Sequence, residues 1–288
     1  MPRIDPLASV GWLAEHLGDP GVVVLDATVH LDPPSSAGVP YDVRSGRAEW
    51  ELAHIPGSRF ADVPGELSDP EAPYPFTLPS AERFASALER LGIGDDTFVV
   101  SYDDERGMWA SRLWWMLRVF GHDRCAVLDG GLSAWIAAGR PLTAEPPPPP
   151  AAASFTPRLR PALVADRGEV LAAIDDAAVL LVNALAPEAH RGETDRYGRP
   201  GRIPGSSNVP AASLHAPDGR LRPADELRGA FEAVGALTAP RVIAYCGGGI
   251  SATSDALALA LLGRDDVAIY DGSLREWAGD PGLPLERG

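Results

Sequence analysis

The second half of this chain repeats the first in register, and that constrains its fold more than any other feature. Asp103 and Cys246 lie 143 residues apart, Asp129 and Asp271 lie 142 apart, and so do Trp135 and Trp277. The same local patterns recur around these positions. Each half opens on an apolar run, GVVVLDAT from Gly21 and AAVLLVNA from Ala177, and then carries an Ile-Pro-Gly turn, at Ala53–Ser58 and Gly201–Ser206. A second apolar run, ending at Asp103 or Cys246, passes straight into helix-like sequence. A third ends in Asp-Gly, at Asp129 and Asp271, with a tryptophan close behind. A pattern kept in step over that span marks a duplicated unit, so one description must serve both halves.

The apolar runs show no clean polar alternation, and amphipathic stretches such as Ser80–Gly92 and Ala224–Gly235 separate them. That combination predicts strands buried on both faces by helices. The expected class is α/β, with two tandem domains, each a mostly parallel sheet flanked by helices. A chain of 288 residues, 45% of them hydrophobic, is long enough for two cores. Five consecutive prolines, Pro146–Pro150, cannot donate ladder hydrogen bonds and favour extended backbone. The expected boundaries are therefore 1–143, a linker at 144–160, and 161–288. In such sheets ligands sit beyond the carboxyl ends of the strands, where Asp103 and Cys246 fall.

Lys plus Arg total 25 against 40 Asp plus Glu, a formal charge of −15, which argues against general affinity for nucleic acid or anionic lipid. An anionic substrate then needs positive potential placed locally. No apolar run approaches the ~20 residues of a membrane-spanning helix, and the opening MPRIDPLASV lacks a basic segment followed by an apolar one, so a cytoplasmic protein is expected. Two cysteines, Cys125 and Cys246, are too few for a disulfide framework or a thiol-based zinc site, and the six histidines are scattered. Neither a metal nor a cofactor is expected.

The chemistry concentrates in the stretch from Tyr245 to Gly263. A buried strand delivers Cys246 to its end, three glycines permit a tight loop, and an apolar helix follows. The amides of Gly247, Gly248 and Gly249, with those of Ile250, Ser251 and Ala252, are expected to turn inward toward the sulfur. Such a nest, completed by a helix N-terminus, stabilises a thiolate and the outer sulfur of a persulfide. The bland alternative is a buried cysteine beside a flexible loop. A nucleotide site is disfavoured, because no Lys-Ser or Lys-Thr pair follows the glycines and no GxGxxG is present. A cysteine phosphatase needs an arginine closing the loop, and this loop has none.

At these residues the chain resembles the tandem rhodanese family, which includes thiosulfate and 3-mercaptopyruvate sulfurtransferases. The resemblance rests on HIPG at His54–Gly57, the stretch Ser101–His122, LDGG at Leu128–Gly131, CGGGISA at Cys246–Ala252 and YDGS at Tyr270–Ser273. It implies an active C-terminal domain and a silent N-terminal copy, with Asp103 where Cys246 stands in the other half. It also implies a ping-pong reaction. Cys246 takes sulfur from a small anionic donor, releases sulfite or pyruvate, and passes the sulfur to a thiol or cyanide. A non-catalytic binding protein on the same scaffold is the competing class, and the retained Cys246 argues against it.

Ser251 stands where the family commonly has threonine, and is expected either to hydrogen-bond the persulfide or to cap the helix. The family's Asp-Ala-Arg and its substrate-binding arginine are replaced by Asn183, Leu185 and Ala189, so Arg191, Arg196 or Arg199 is expected to supply the missing charge. The plainer reading leaves these three as solvated loop arginines. The Cys-Gly-Xaa-Gly start, without the basic residues of many thiosulfate-using loops, leans toward 3-mercaptopyruvate, although Gly248 replaces the usual serine. Asp271 and Ser273 read as an ordinary turn. His54 is expected to bond locally, and Arg202 replaces the corresponding histidine. Trp109, Trp114, Trp115 and Trp135 read as core or interdomain packing, with Trp109 as a possible cleft wall. Cys125 reads as an inert buried thiol, the alternative being a resolving partner for oxidised Cys246.

Overall fold

The computed structural model describes residues 5–36 and 38–288. In chain order the first half gives β1 (Leu7–Ala8), α1 (Val10–His16), β2 (Val22–Asp26), β3 (Val29–Asp32), β4 (Asp42–Ser45), α2 (Arg47–Leu52), β5 (Arg59–Phe60), α3 (Ala81–Arg90), β6 (Phe98–Tyr102), α4 (Met108–Val119), β7 (Cys125–Leu128) and α5 (Gly131–Ala137). The second gives β8 (Val164–Ala165), α6 (Arg167–Ala173), β9 (Val179–Asn183), α7 (Pro187–His190), β10 (Ser207–Asn208), α8 (Ala224–Glu232), β11 (Arg241–Tyr245), α9 (Ala252–Leu261), β12 (Ala268–Tyr270) and α10 (Ser273–Gly279).

The duplication read from the sequence is a duplication of topology. One sheet runs β1-β7-β6-β2-β5 and the other β8-β12-β11-β9-β10, the same order strand for strand, with every pair parallel. The central pairs share a register too. Asp26 of β2 lies opposite Tyr102, and Asn183 of β9 lies opposite Tyr245, so each faces the residue just before Asp103 or Cys246. Local sequence sets the helix starts: Ser9, Ser80 and Asp166 each accept the amide of the third residue ahead, at the N-termini of α1, α3 and α6. The β3–β4 hairpin is the main departure. It is antiparallel and belongs to the first half alone.

Helices α4 and α9 are buried along nearly their whole length, as helices apolar all round must be, and they pack against each other across the two halves. The four tryptophans Trp109, Trp114, Trp115 and Trp135 are in the core. Trp115 also crosses the boundary, its indole N–H donating to the Leu163 carbonyl (3.2 Å). Arg112 of α4, fully buried, donates to the Gly249 carbonyl (3.1 Å), the Asp271 carboxylate (2.7 Å) and the Phe76 carbonyl. The other oxygen of Asp271 accepts the Leu78 amide (2.8 Å). Asp271, expected as a simple turn residue, is thus a bridge between the halves.

Residues 144–160 carry no helix or strand. They are nevertheless fastened to the first half. The Ser154 carbonyl accepts the Asp95 amide, the Asp95 carboxylate accepts the Thr156 amide, and Arg160 forms a bidentate pair with Asp123. Among the described residues no helix is long and apolar enough to cross a membrane.

Candidate active site

Cys246 follows the last residue of β11 and its side chain is buried. The first turn of α10 is knitted to its loop. The Ser273 hydroxyl accepts the amides of Cys246 (3.1 Å) and Gly249 (3.0 Å) while donating to the Tyr270 carbonyl (2.7 Å). The Leu274 amide donates to the Cys246 carbonyl, and the Arg275 amide to the Gly247 carbonyl (2.9 Å). Ser273 therefore braces the loop, a role beyond the turn that its sequence suggested.

Gly249 departs from the expected cradle, because its N–H points to Ser273 instead of inward. Its φ of +76° and the 2.6 Å separating the Asp271 carbonyl from any added Cβ explain why only glycine fits. The amides of Gly247, Gly248, Ile250 and Ser251 have no acceptor among the described residues, and Ala252 opens α9. These N–H groups flank Cys246 without a protein acceptor among the described residues, the cysteine sulfur included. Ser251 stands at the N-cap position of α9 but its side chain makes no capping hydrogen bond; its hydroxyl donates to the Met108 sulfur across the halves (3.4 Å).

The first half shows what a loop of this kind does when filled. The Asp103 carboxylate is fully buried and accepts four backbone N–H groups, from Glu105 (2.7 Å), Gly107, Trp109 and Ala110 (each 2.8 Å). Burial pushes this carboxyl up, and the four donors pull against it. The Asp103 carbonyl also accepts the Leu132 amide, as the Cys246 carbonyl accepts that of Leu274. The left-handed glycine comes four residues after Asp103 in the first loop (Gly107, φ +78°) and three after Cys246 in the second (Gly249, φ +76°).

Two phenols cover the Cys246 loop. A side chain on Gly247 would collide with the Tyr197 hydroxyl, and one on Gly248 would stand 3.3 Å from the Tyr41 hydroxyl. Tyr41 comes from the chain entering β4 of the first half, and Phe76, stacked on it, packs edge-on against Trp109. Burial pushes both phenols up, and each lies within electrostatic reach of Cys246. Above them a cleft of about 690 Å³ runs between the halves, lined by Pro34, Val39 and Pro40 on one side and by Ala189, Arg196 and Tyr197 on the other. Leu274, bonded to the Cys246 carbonyl, forms part of its floor. Cys246 itself is 1% exposed, and Tyr197, which lines the cleft, stands against its loop at Gly247.

The three expected arginines part company. Arg199 is spent on the end of α10, donating to the carbonyls of Trp277, Ala278, Asp280 and Leu283. Arg191 is exposed and paired with Glu193 (2.6 Å) and Glu188 (3.7 Å). Arg196 lines the cleft without a carboxylate partner among the described residues, and its charge reaches both phenols. Arg275 is the charge that sequence reading missed. It sits in the first turn of α10, beside the loop, where spacing alone marks only a helix surface.

The remaining sites stay local. His54 bonds to the Trp50 carbonyl, and Arg202 pairs with Glu286. Cys125 is buried in β7 among first-half residues, burial pushes its thiol up, and both cysteines are free. Nothing there supports a resolving role. Trp109 is completely buried, in the core behind Phe76.

The rhodanese-like domain family matches residues 9–138 and 166–280, one segment in each half. The thiosulfate/3-mercaptopyruvate sulfurtransferase 2 of Arabidopsis thaliana is 34% identical over 98% of this chain and 86% of its own length. The thiosulfate sulfurtransferase of Bos taurus is 39% identical over 94% of this chain and 91% of its own. Among solved structures, the 3-mercaptopyruvate enzyme SseA of Escherichia coli superposes with a TM-score of 0.81 at 33% identity, covering 94% of this chain and 99% of that one. With that identity sustained along nearly the whole length and the doubled fold shared, the chain belongs to the rhodanese family, as a tandem-domain sulfurtransferase.

Proposed function

We propose that Cys246 is the sulfur carrier, that residues 161–288 form the catalytic domain, and that residues 1–143 form a silent one, with 144–160 between them. The donor is a small anion, thiosulfate or 3-mercaptopyruvate, the substrates named for the relatives. The acceptor is a thiol or cyanide. One observation carries this reading: the sister loop holds a carboxylate on four N–H groups, while around Cys246 the N–H groups of Gly247, Gly248, Ile250 and Ser251 have no acceptor among the described residues and only that of Gly249 is taken, by Ser273. Asp103 cannot carry a sulfane sulfur, and a thiolate at the same place can.

With thiosulfate, the thiolate attacks the outer sulfur, an S–S bond forms, and the bond to the sulfonate sulfur breaks with its electron pair leaving on sulfite. With 3-mercaptopyruvate, the C–S bond breaks and its pair leaves as the pyruvate enolate, which takes the proton that the transferred sulfur brought. In both cases the product is the Cys246 persulfide anion, held by the free loop amides. Attack by the acceptor on the outer sulfur restores the thiolate. Tyr197, whose hydroxyl crowds Gly247 and which lines the cleft, is the side chain that donor entry has to displace.

Intact-mass measurement tests the carrier step. The native chain should gain one sulfur atom on exposure to donor and lose it on addition of cyanide, and Cys246→Ala should gain none. Sulfur uptake by the alanine variant, with Cys125 its sole thiol, would overturn the assignment.

A further inference from the structure

An anionic donor approaching a chain of net charge −15 must find a cation close to Cys246. Leu185 and Ala189, which face the cleft, supply none. Most nearby arginines are already committed: Arg112 to Asp271, Arg191 to Glu193, Arg199 to four carbonyls and Arg202 to Glu286. Two remain without a carboxylate partner among the described residues, Arg196 and Arg275.

These two differ in how they are held. Arg196 is exposed, on a segment without helix or strand. Arg275 is half-buried and tied to the loop at its backbone, through its amide bond to the Gly247 carbonyl, two residues after the serine that braces Cys246. Its guanidinium lies 5.8 Å from the centroid of the Tyr41 ring. The Tyr41 hydroxyl in turn abuts Gly248. Burial raises the Tyr41 phenol, and the nearby positive charge of Arg275 opposes that shift. A planar guanidinium beside a phenol, both next to a loop with unclaimed N–H groups, forms a fork suited to a carboxylate or sulfonate.

We propose that Arg275, with Tyr41 beside it, binds the anionic end of the sulfur donor, carboxylate or sulfonate, and holds its sulfur against Cys246. This rests on the reading of Cys246 as sulfur carrier. It makes Arg275 the successor, on a different element, to the charge absent at Ala189.

The test compares native protein, Arg275→Gln and Arg275→Lys in steady-state kinetics with thiosulfate and with 3-mercaptopyruvate, alongside intact mass at saturating donor. The glutamine variant should raise KM for the donor about tenfold or more while kcat changes less than about threefold, and lysine should recover most of the loss. All three should still gain one sulfur atom at saturation. Unchanged KM in Arg275→Gln with both donors overturns the assignment of Arg275 and leaves the carrier reading intact. A native chain that gains no sulfur on Cys246 overturns the carrier reading itself. A glutamine variant with a lowered melting temperature and a loss that lysine does not repair assigns Arg275 a purely structural role, which also overturns the proposal.

Discussion

Ser273 holds φ at +50°, a conformation that residues other than glycine adopt at a cost, and three hydrogen bonds of its hydroxyl, two accepted and one donated, offset that cost. Ser273→Ala strips the acceptor from the buried amides of Cys246 and Gly249. A stability loss of about 1–3 kcal/mol in urea denaturation is expected. Sulfur transfer should slow with it, because a loosened loop no longer presents its free N–H groups; an unchanged denaturation midpoint would contradict the bracing role. Cys246 and its glycines were legible in the sequence because strand, thiol and tight loop are contiguous there. Ser273, Asp271 and Arg275 were not. Asp-Gly-Ser is ordinary turn chemistry, and the partners of these residues lie far away in sequence, Arg112 being 159 positions from Asp271. Among the arginines near Ala189 the limit was the reverse: closeness in sequence did not reveal that carbonyls and a glutamate already hold Arg199 and Arg191, while Arg196 lines the cleft.

The ends of strands β2 and β9 offer a comparison built into the chain. Asp26 and Asn183 occupy the same register, and each side-chain oxygen accepts the amide two residues ahead, from Thr28 (2.8 Å) and Leu185 (2.9 Å). One is an acid and the other its amide. Burial raises the Asp26 carboxyl from 3.8 to about 6. The folded chain therefore binds this proton more tightly than the unfolded chain, so the group's stabilising contribution is complete below pH 4 and is lost as pH rises through 6. Asp26→Asn should melt higher than the native chain at pH 8, by the equivalent of about 3 kcal/mol at most, with the difference closing by pH 4. A gap independent of pH would refute this assignment. Elements of this kind were readable from the sequence because both halves spell them. The β3–β4 hairpin has no second copy to compare, and the phenol of Tyr41 reaches the site from its connection, so that wall stayed hidden.

Across the whole molecule, the two halves are locked by α4 against α9 and by Arg112. Breaking a buried, hydrogen-bonded ion pair by removing one partner costs about 3–5 kcal/mol. Arg112→Ala should lose stability in that range and lose activity through Gly249, whose carbonyl it holds. The double variant with Asp271→Asn should cost less than the two single changes combined, and strict additivity in thermal denaturation would exclude the coupling. Asp103 has a different consequence. Its carboxylate fills the twin receptacle, so on the proposed assignment doubling the fold does not double capacity. With Cys246 as the proposed carrier, each polypeptide is expected to load a single equivalent per cycle, and a second component in donor saturation curves would contradict this. On the proposed assignment, the first copy is scaffolding for the second.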